Sequence, residues 1–143
     1  MKEADISLCC AVLQDKWIEV KNDFIQQRPG RYLVLTETHR PPERQFQLYT
    51  QGRKQIDTGE WAISDKSKIV TNVDGYKVKG PHNYSPAHAI DVAIVDNQNG
   101  KVLWDIGSYS CLLDIAKRLN LTSGGSWTRL TDYPHLECKE EWI

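Results

Sequence analysis

Apolar residues Ile6, Cys10, Leu13, Trp17, Val20 and Phe24 recur at steps of three and four. That spacing lays them along one stripe of a helix of roughly five turns, which Pro29-Gly30 would end. Residues 31–38 read Arg-Tyr-Leu-Val-Leu-Thr-Glu-Thr, a strand pattern. The strand runs into His39-Arg40-Pro41-Pro42. Proline is tolerated in a first helical turn, so a helix is predicted over 43–51, closed by Gly52.

Residues 53–79 are polar and rich in turn formers. Loops are expected there, with one short strand at Ile69-Val70-Thr71. The segment is either an active-site rim or a plain solvated connection. Gly80-Pro81 then leads into His82 and a strand predicted over 89–95, rich in β-branched residues and stopped by Asp96-Asn97. Residues 97–100 read as a hairpin turn into 101–104. Tyr109, Leu112, Leu113, Ala116 and Leu119 form a second helical stripe. After the break at Gly124-Gly125 comes Trp127, then Asp132-Tyr133-Pro134-His135-Leu136-Glu137. In a strand there, His135 and Glu137 would share one face and Leu136 would take the other. No repeat, linker or low-complexity tract divides the chain, so residues 1–143 read as one domain.

Composition narrows the function classes. The net charge is −1, with Lys and Arg scattered, which argues against a nucleic-acid or anionic-membrane surface. No apolar run approaches the ~20 residues of a membrane span. Residues 1–5 do not open a signal peptide. Cys9, Cys10, Cys111 and Cys138 contain no C-x-x-C pair and are expected to be buried free thiols. Cys138 follows His135 by three, a spacing zinc can use, but the other cysteines offer no matching partners.

The candidate chemistry gathers in two stretches. Asp91 sits inside an apolar strand, where a carboxylate is costly unless paired or bound to a metal. His82 precedes it by nine residues, and Asp132 precedes His135 by three. A catalytic zinc takes three N or O ligands, keeps one position open and needs a base nearby. Two adjacent strands can present Asp91 and His135 to one point, with His82 reaching in from its loop. Asp132 would then lie close without having to ligate. Any one of the four histidines alone is more often structural than a ligand. His88 is a rival ligand, ranked lower because it would point to the opposite face from Asp91.

These motifs, taken in order, resemble the LAS metallopeptidases. The match is to the D-Ala-D-Ala carboxypeptidase and L-alanyl-D-glutamate endopeptidase branch, which includes phage endolysins. Its elements here are His82-Asn83-Tyr84, Ala89-Ile90-Asp91 and Asp132-Tyr133-Pro134-His135. Thr38-His39-Arg40-Pro41-Pro42-Glu43-Arg44-Gln45 resembles the family's arginine-bearing turn and helix. Gly124-Gly125-Ser126-Trp127 resembles its Gly-Gly-x-Trp lead-in. Two departures stand out. Gly80 occupies the family's serine position, and the His82–Asp91 gap is two residues longer than usual, as if Ser85-Pro86 were inserted.

The resemblance implies an α+β single domain. Its small antiparallel sheet carries the metal site, with helices packed on one side. It implies His82, Asp91 and His135 as zinc ligands and Asp132 as general base, then acid. Arg40 would bind substrate or steady the developing negative charge. Trp127 would contact substrate or pack over the site. Glu137 would partner a ligand histidine or remain a solvated charge, and Arg44 would be a surface residue of its helix. The implied reaction is zinc-dependent hydrolysis in the peptidoglycan stem peptide, with the bond, L-Ala–D-Glu or D-Ala–D-Ala, left open. A catalytically silent zinc-bound module of the same fold is the alternative. With no signal peptide read, a monomer made in the cytoplasm is expected to reach the wall only with a membrane-permeabilising, holin-type partner.

Overall fold

The computed structural model describes residues 2–126 and 132–139. Helix α1 spans Ala11–Gln27 and is followed by strand β1, Arg31–Glu37, and helix α2, Pro42–Tyr49. A small hairpin comes next, β2 Arg53–Gln55 and β3 Trp61–Ile63. Strand β4 is Ala89–Asp96 and β5 is Val102–Leu103. Helix α3 covers Ile106–Arg118, and β6 Thr122–Ser123 and β7 His135–Glu137 complete the order. The main sheet runs β1-β4-β7-β6, with β5 also on β4, and its pairs are antiparallel. The α+β architecture is the expected one.

Period-two alternation divides the sheet's two faces. Leu33, Leu35, Ile90, Val92, Ile94 and Leu136 enter the core. There they meet Leu13, Trp17, Val20 and Phe24 of α1, and Leu112, Ile115 and Ala116 of α3. Both helices therefore cover one face. The Asp105 carboxylate caps α3 by accepting from the Ser108 amide at 3.0 Å. Helix α2 does not join them. Its Arg44, Gln45 and Leu48 border a cavity on the other face, together with Asp91 and His135.

Two local expectations change. The first apolar stripe is not one helix: Ile6–Leu8 is a separate 3-10 turn, and α1 begins at Ala11. Between them Cys9 bridges Ala87, the Cys10 amide donates to the Ala87 carbonyl at 2.9 Å, and the Ala87 amide to that of Leu8 at 2.9 Å. Those long-range bonds hold the chain extended where helical periodicity continues. No strand forms at Ile69-Val70-Thr71. The Thr71 carbonyl instead accepts from Arg53 Nη1 at 2.9 Å. The β2–β3 hairpin appears earlier in the segment, turning through Gly59 at φ +86°. Its strands are three residues long and mostly exposed, too short to show alternation.

Candidate metal centre

The β4–β7 register sets Asp91 directly opposite His135. Directly opposed residues project to the same face, and here it is the face away from the core. His82 comes from the 3-10 turn Pro81–Asn83. That turn is held by the Asn83 carboxamide oxygen, which accepts from the Gly80 amide at 2.8 Å. Asp91 Oδ1 lies 3.1 Å from His82 Nε2 and 3.2 Å from His135 Nδ1. One potential ligand atom from each of the three residues lies within 4.8 Å of the others.

The far nitrogen of each imidazole is already held. His82 Nδ1 donates to the buried Thr38 carbonyl at 2.7 Å, which fixes the ring and turns Nε2 toward Asp91. His135 Nε2 lies 2.9 Å from Glu137 Oε1. An acceptor behind each imidazole is the arrangement that orients metal-ligating histidines. Two imidazole nitrogens and one carboxylate oxygen also suit a divalent cation with room for a further ligand. The donor set fits a metal ion.

Charge in the site follows from burial and neighbours. Burial opposes ionisation of Asp91, yet hydrogen bonds from His135 and His82 prevail and hold its carboxyl well below the usual range. Burial likewise opposes a charge on His135, but Asp91 and Glu137 prevail and raise its pKa to about 9. Asp132 moves the other way. Burial and the nearby Asp91 charge push it up, against the pull of His135, His82 and Arg40. Its position depends on a close approach: the Asp132 amide donates to the Gly124 carbonyl at 2.9 Å, and a Cβ on Gly124 would run into the Asp132 carbonyl.

Asp132, the three clustered residues and Arg40 all line one open cavity of about 590 Å³. Arg40 is tied down within it. Its Nε and Nη2 donate to the two Glu37 carboxylate oxygens at 2.7 and 2.6 Å, and Nη1 to Gln45 Oε1 at 2.9 Å. Nη2 also stands 3.4 Å from Asp91 Oδ2. Glu37 reaches this position because β1 is bulged between Leu35 and Glu37. The extra residue sets Glu37 opposite Asp91, on the cavity face, where unbroken alternation would turn it into the core.

No protein-family model matches the chain. It is 34% identical over 117 residues to the peptidoglycan L-alanyl-D-glutamate endopeptidase CwlK of Bacillus subtilis. That alignment takes in 76% of this chain and 61% of CwlK, so the chain spans about three-fifths of its relative's length. This likeness bears out the resemblance of the motifs to the LAS-type peptidases. Its fold is similar to the crystal structure of the Serratia marcescens L-Ala D-Glu endopeptidase ChiX, with a TM-score of 0.55 at 17% identity. That match covers 95% of this chain and 84% of ChiX.

The LAS-type motifs thus converge in space: His82, Asp91, His135, Asp132 and Arg40 face one cavity. His88 lies outside the cluster, its ring stacked on Tyr84 at 4.8 Å. Cys138 is buried beside Cys10, with the sulfurs 3.7 Å apart. Trp127 lies outside the described residues. Sequence reasoning missed Thr38, Glu37, Gln45 and Asn83. Gln45 accepts from both Arg40 and Asn83, at 2.9 and 3.2 Å, and its carboxamide nitrogen donates to the Val73 carbonyl at 2.9 Å. Glu37 and Gln45 had a local signal, lying three residues before and five after Arg40, and Asn83 bonds Gly80 three residues back. Thr38 acts on His82 through a contact made far along the chain.

Proposed function

We propose that this LAS-type domain is a zinc-dependent peptidase that hydrolyses the peptidoglycan stem peptide at an L-alanyl-D-glutamate bond. The observation that carries the reading is the convergence of His82, Asp91 and His135, each imidazole braced from behind, in one cavity with Asp132. The bond is taken from the names of CwlK and ChiX. Zinc is taken from the mixed nitrogen and oxygen donor set.

His82 through Nε2, His135 through Nδ1 and Asp91 through Oδ1 would hold the ion. When bound it supplies a positive centre that acidifies water and polarises the scissile carbonyl. Asp132 accepts a proton from the attacking water at its carboxylate. Its raised pKa makes it a better base than an ordinary aspartate and lets it hand the proton on to the leaving amine. Thr38 and Glu137 keep the two imidazoles oriented. Arg40, locked by Glu37 and Gln45, adds fixed positive charge beside Asp91 where negative charge develops on the substrate. Trp127 is proposed as a substrate contact.

The test is incubation of the purified protein with peptidoglycan, with and without a chelator, and mass analysis of the new termini. New glutamate amines that vanish on metal removal and return with zinc are expected. Release indifferent to the chelator would refute the metal dependence, and termini at D-Ala–D-Ala would move the cut to the carboxypeptidase bond.

A further inference from the structure

The peptidase reading leaves open what binds the acidic substrate residue beside the cut, and Arg40 is poorly placed to do it. All three of its guanidinium nitrogens donate within the protein, to Glu37, Gln45 and Asp91, and its side chain is only 12% exposed. The same cavity holds a second arginine. Arg44 stands in the first turn of α2 and lines the cavity. Leu48 lines it too, one helical turn further on, so this edge of α2 faces the opening. Among the described residues Arg44 makes no hydrogen bond and no ion pair.

The charge around it makes this position informative. Among the described residues the cavity wall carries four carboxylates, Glu37, Asp91, Asp132 and Glu137, against two guanidinium groups. Arg40 is matched by Glu37 and Asp91. Arg44 is therefore the cavity cation, among the described residues, whose donors are open to a ligand. A planar guanidinium with free donors is suited to a carboxylate, which it can grip through two parallel hydrogen bonds.

We propose that Arg44 is the specificity clamp for the free carboxylate of the residue whose amine leaves. In an L-alanyl-D-glutamate substrate that residue is glutamate. The proposal rests on the peptidoglycan reading above and adds the group that recognises its acidic side. Arg40 then shapes the site, and Arg44 selects the substrate.

The test uses two synthetic stem peptides that differ at one group, the α-carboxylate of glutamate or its carboxamide. The zinc-loaded wild type is expected to show a KM lower by about tenfold or more for the acid, the order expected of a charge-assisted pair. Arg44→Gln should make the two KM values equal with little change in kcat, as loss of uniform binding does. Arg44→Glu should reverse the preference. Arg44 is exposed, so the thermal midpoint should not move in either variant. Calorimetric titration of the two glutamate-terminal product peptides should give the same ratios without turnover. Wild type that cuts both peptides with equal KM would overturn the clamp and leave the peptidase reading standing. An acid preference that persists in Arg44→Gln would also overturn the clamp. Cleavage of neither peptide would refute the peptidoglycan reading, and the clamp would fall with it.

Discussion

The two faces of β4 differ in what they hold together. Ile90, Val92 and Ile94 leave the strand toward α1 and α3 and are at most 1% exposed. Asp91, set between two of them, leaves it toward the cavity and meets two imidazoles and a guanidinium. One face stores folding energy through apolar burial, and the other stores charge that packing alone would not tolerate. A one-residue slip of the strand would exchange them. Chemistry and stability are therefore neighbours along the chain, yet substitution should separate them.

The strongest break of that comparison is Asp91→Ala. It removes the central carboxylate of the cluster, so metal content should drop from near one per chain toward none, and peptidase activity with it. The circular dichroism spectrum should stay that of a folded chain, because the core face is untouched. Asp132→Ala should behave differently. Zinc should remain near one per chain while kcat falls by about 10²–10⁴, the range for a general acid–base group. Elemental analysis beside turnover decides the pair. If Asp132→Ala sheds zinc and Asp91→Ala keeps it, the two assignments are reversed.

Ile90→Ala tests the other face. A fully buried Ile cut to Ala should cost roughly 2–5 kcal/mol in denaturant unfolding. Zinc per folded chain should not change. Loss of metal in step with stability would show that the faces are coupled. Glu137→Gln probes the brace behind His135 and should weaken zinc affinity by about 10–100-fold, read by competition with a chelator.

Asp105→Ala, far from the cavity at the start of α3, should have the smallest effect. Loss of the cap should cost about 1 kcal/mol near neutral pH. Burial works against the charge on Asp105, but bonds from Ser108 and the nearby Arg31 together prevail and hold its pKa below 3.8. A depressed carboxylate stabilises the fold above its unfolded value and loses that contribution as pH falls through its folded value. The difference from wild type should thus stay flat above pH 3.8 and shrink only in stronger acid. Unfolding midpoints across an acid series would check it.

Much of the site was legible in the chain because strand alternation is a local property. Once 89–95 is a strand, Asp91 must oppose Ile90 and Val92 in direction. Once 135–137 is a strand, His135 and Glu137 must share a face. The order of motifs then carried the resemblance to the LAS-type peptidases. Other features depended on contacts that form only in the fold. The Cys9-Cys10 break interrupts a helical pattern only because Ala87 offers a partner. Arg40 reads as a free cation until the β1 bulge swings Glu37 onto it.

The sequence by itself determined the periods of the elements, and so which side chains travel together on a stripe or a face. It also determined the stock of imidazoles and carboxylates from which a metal site could be made. The tertiary structure decided which faces meet. It chose the Asp91–His135 register, placed the Thr38 carbonyl behind His82, and engaged Arg40 so that Arg44 was left open. Period is set by the backbone geometry of neighbouring residues. Register and bulges are set by contacts between residues tens of positions apart, whose energies exist only once the chain has closed on itself.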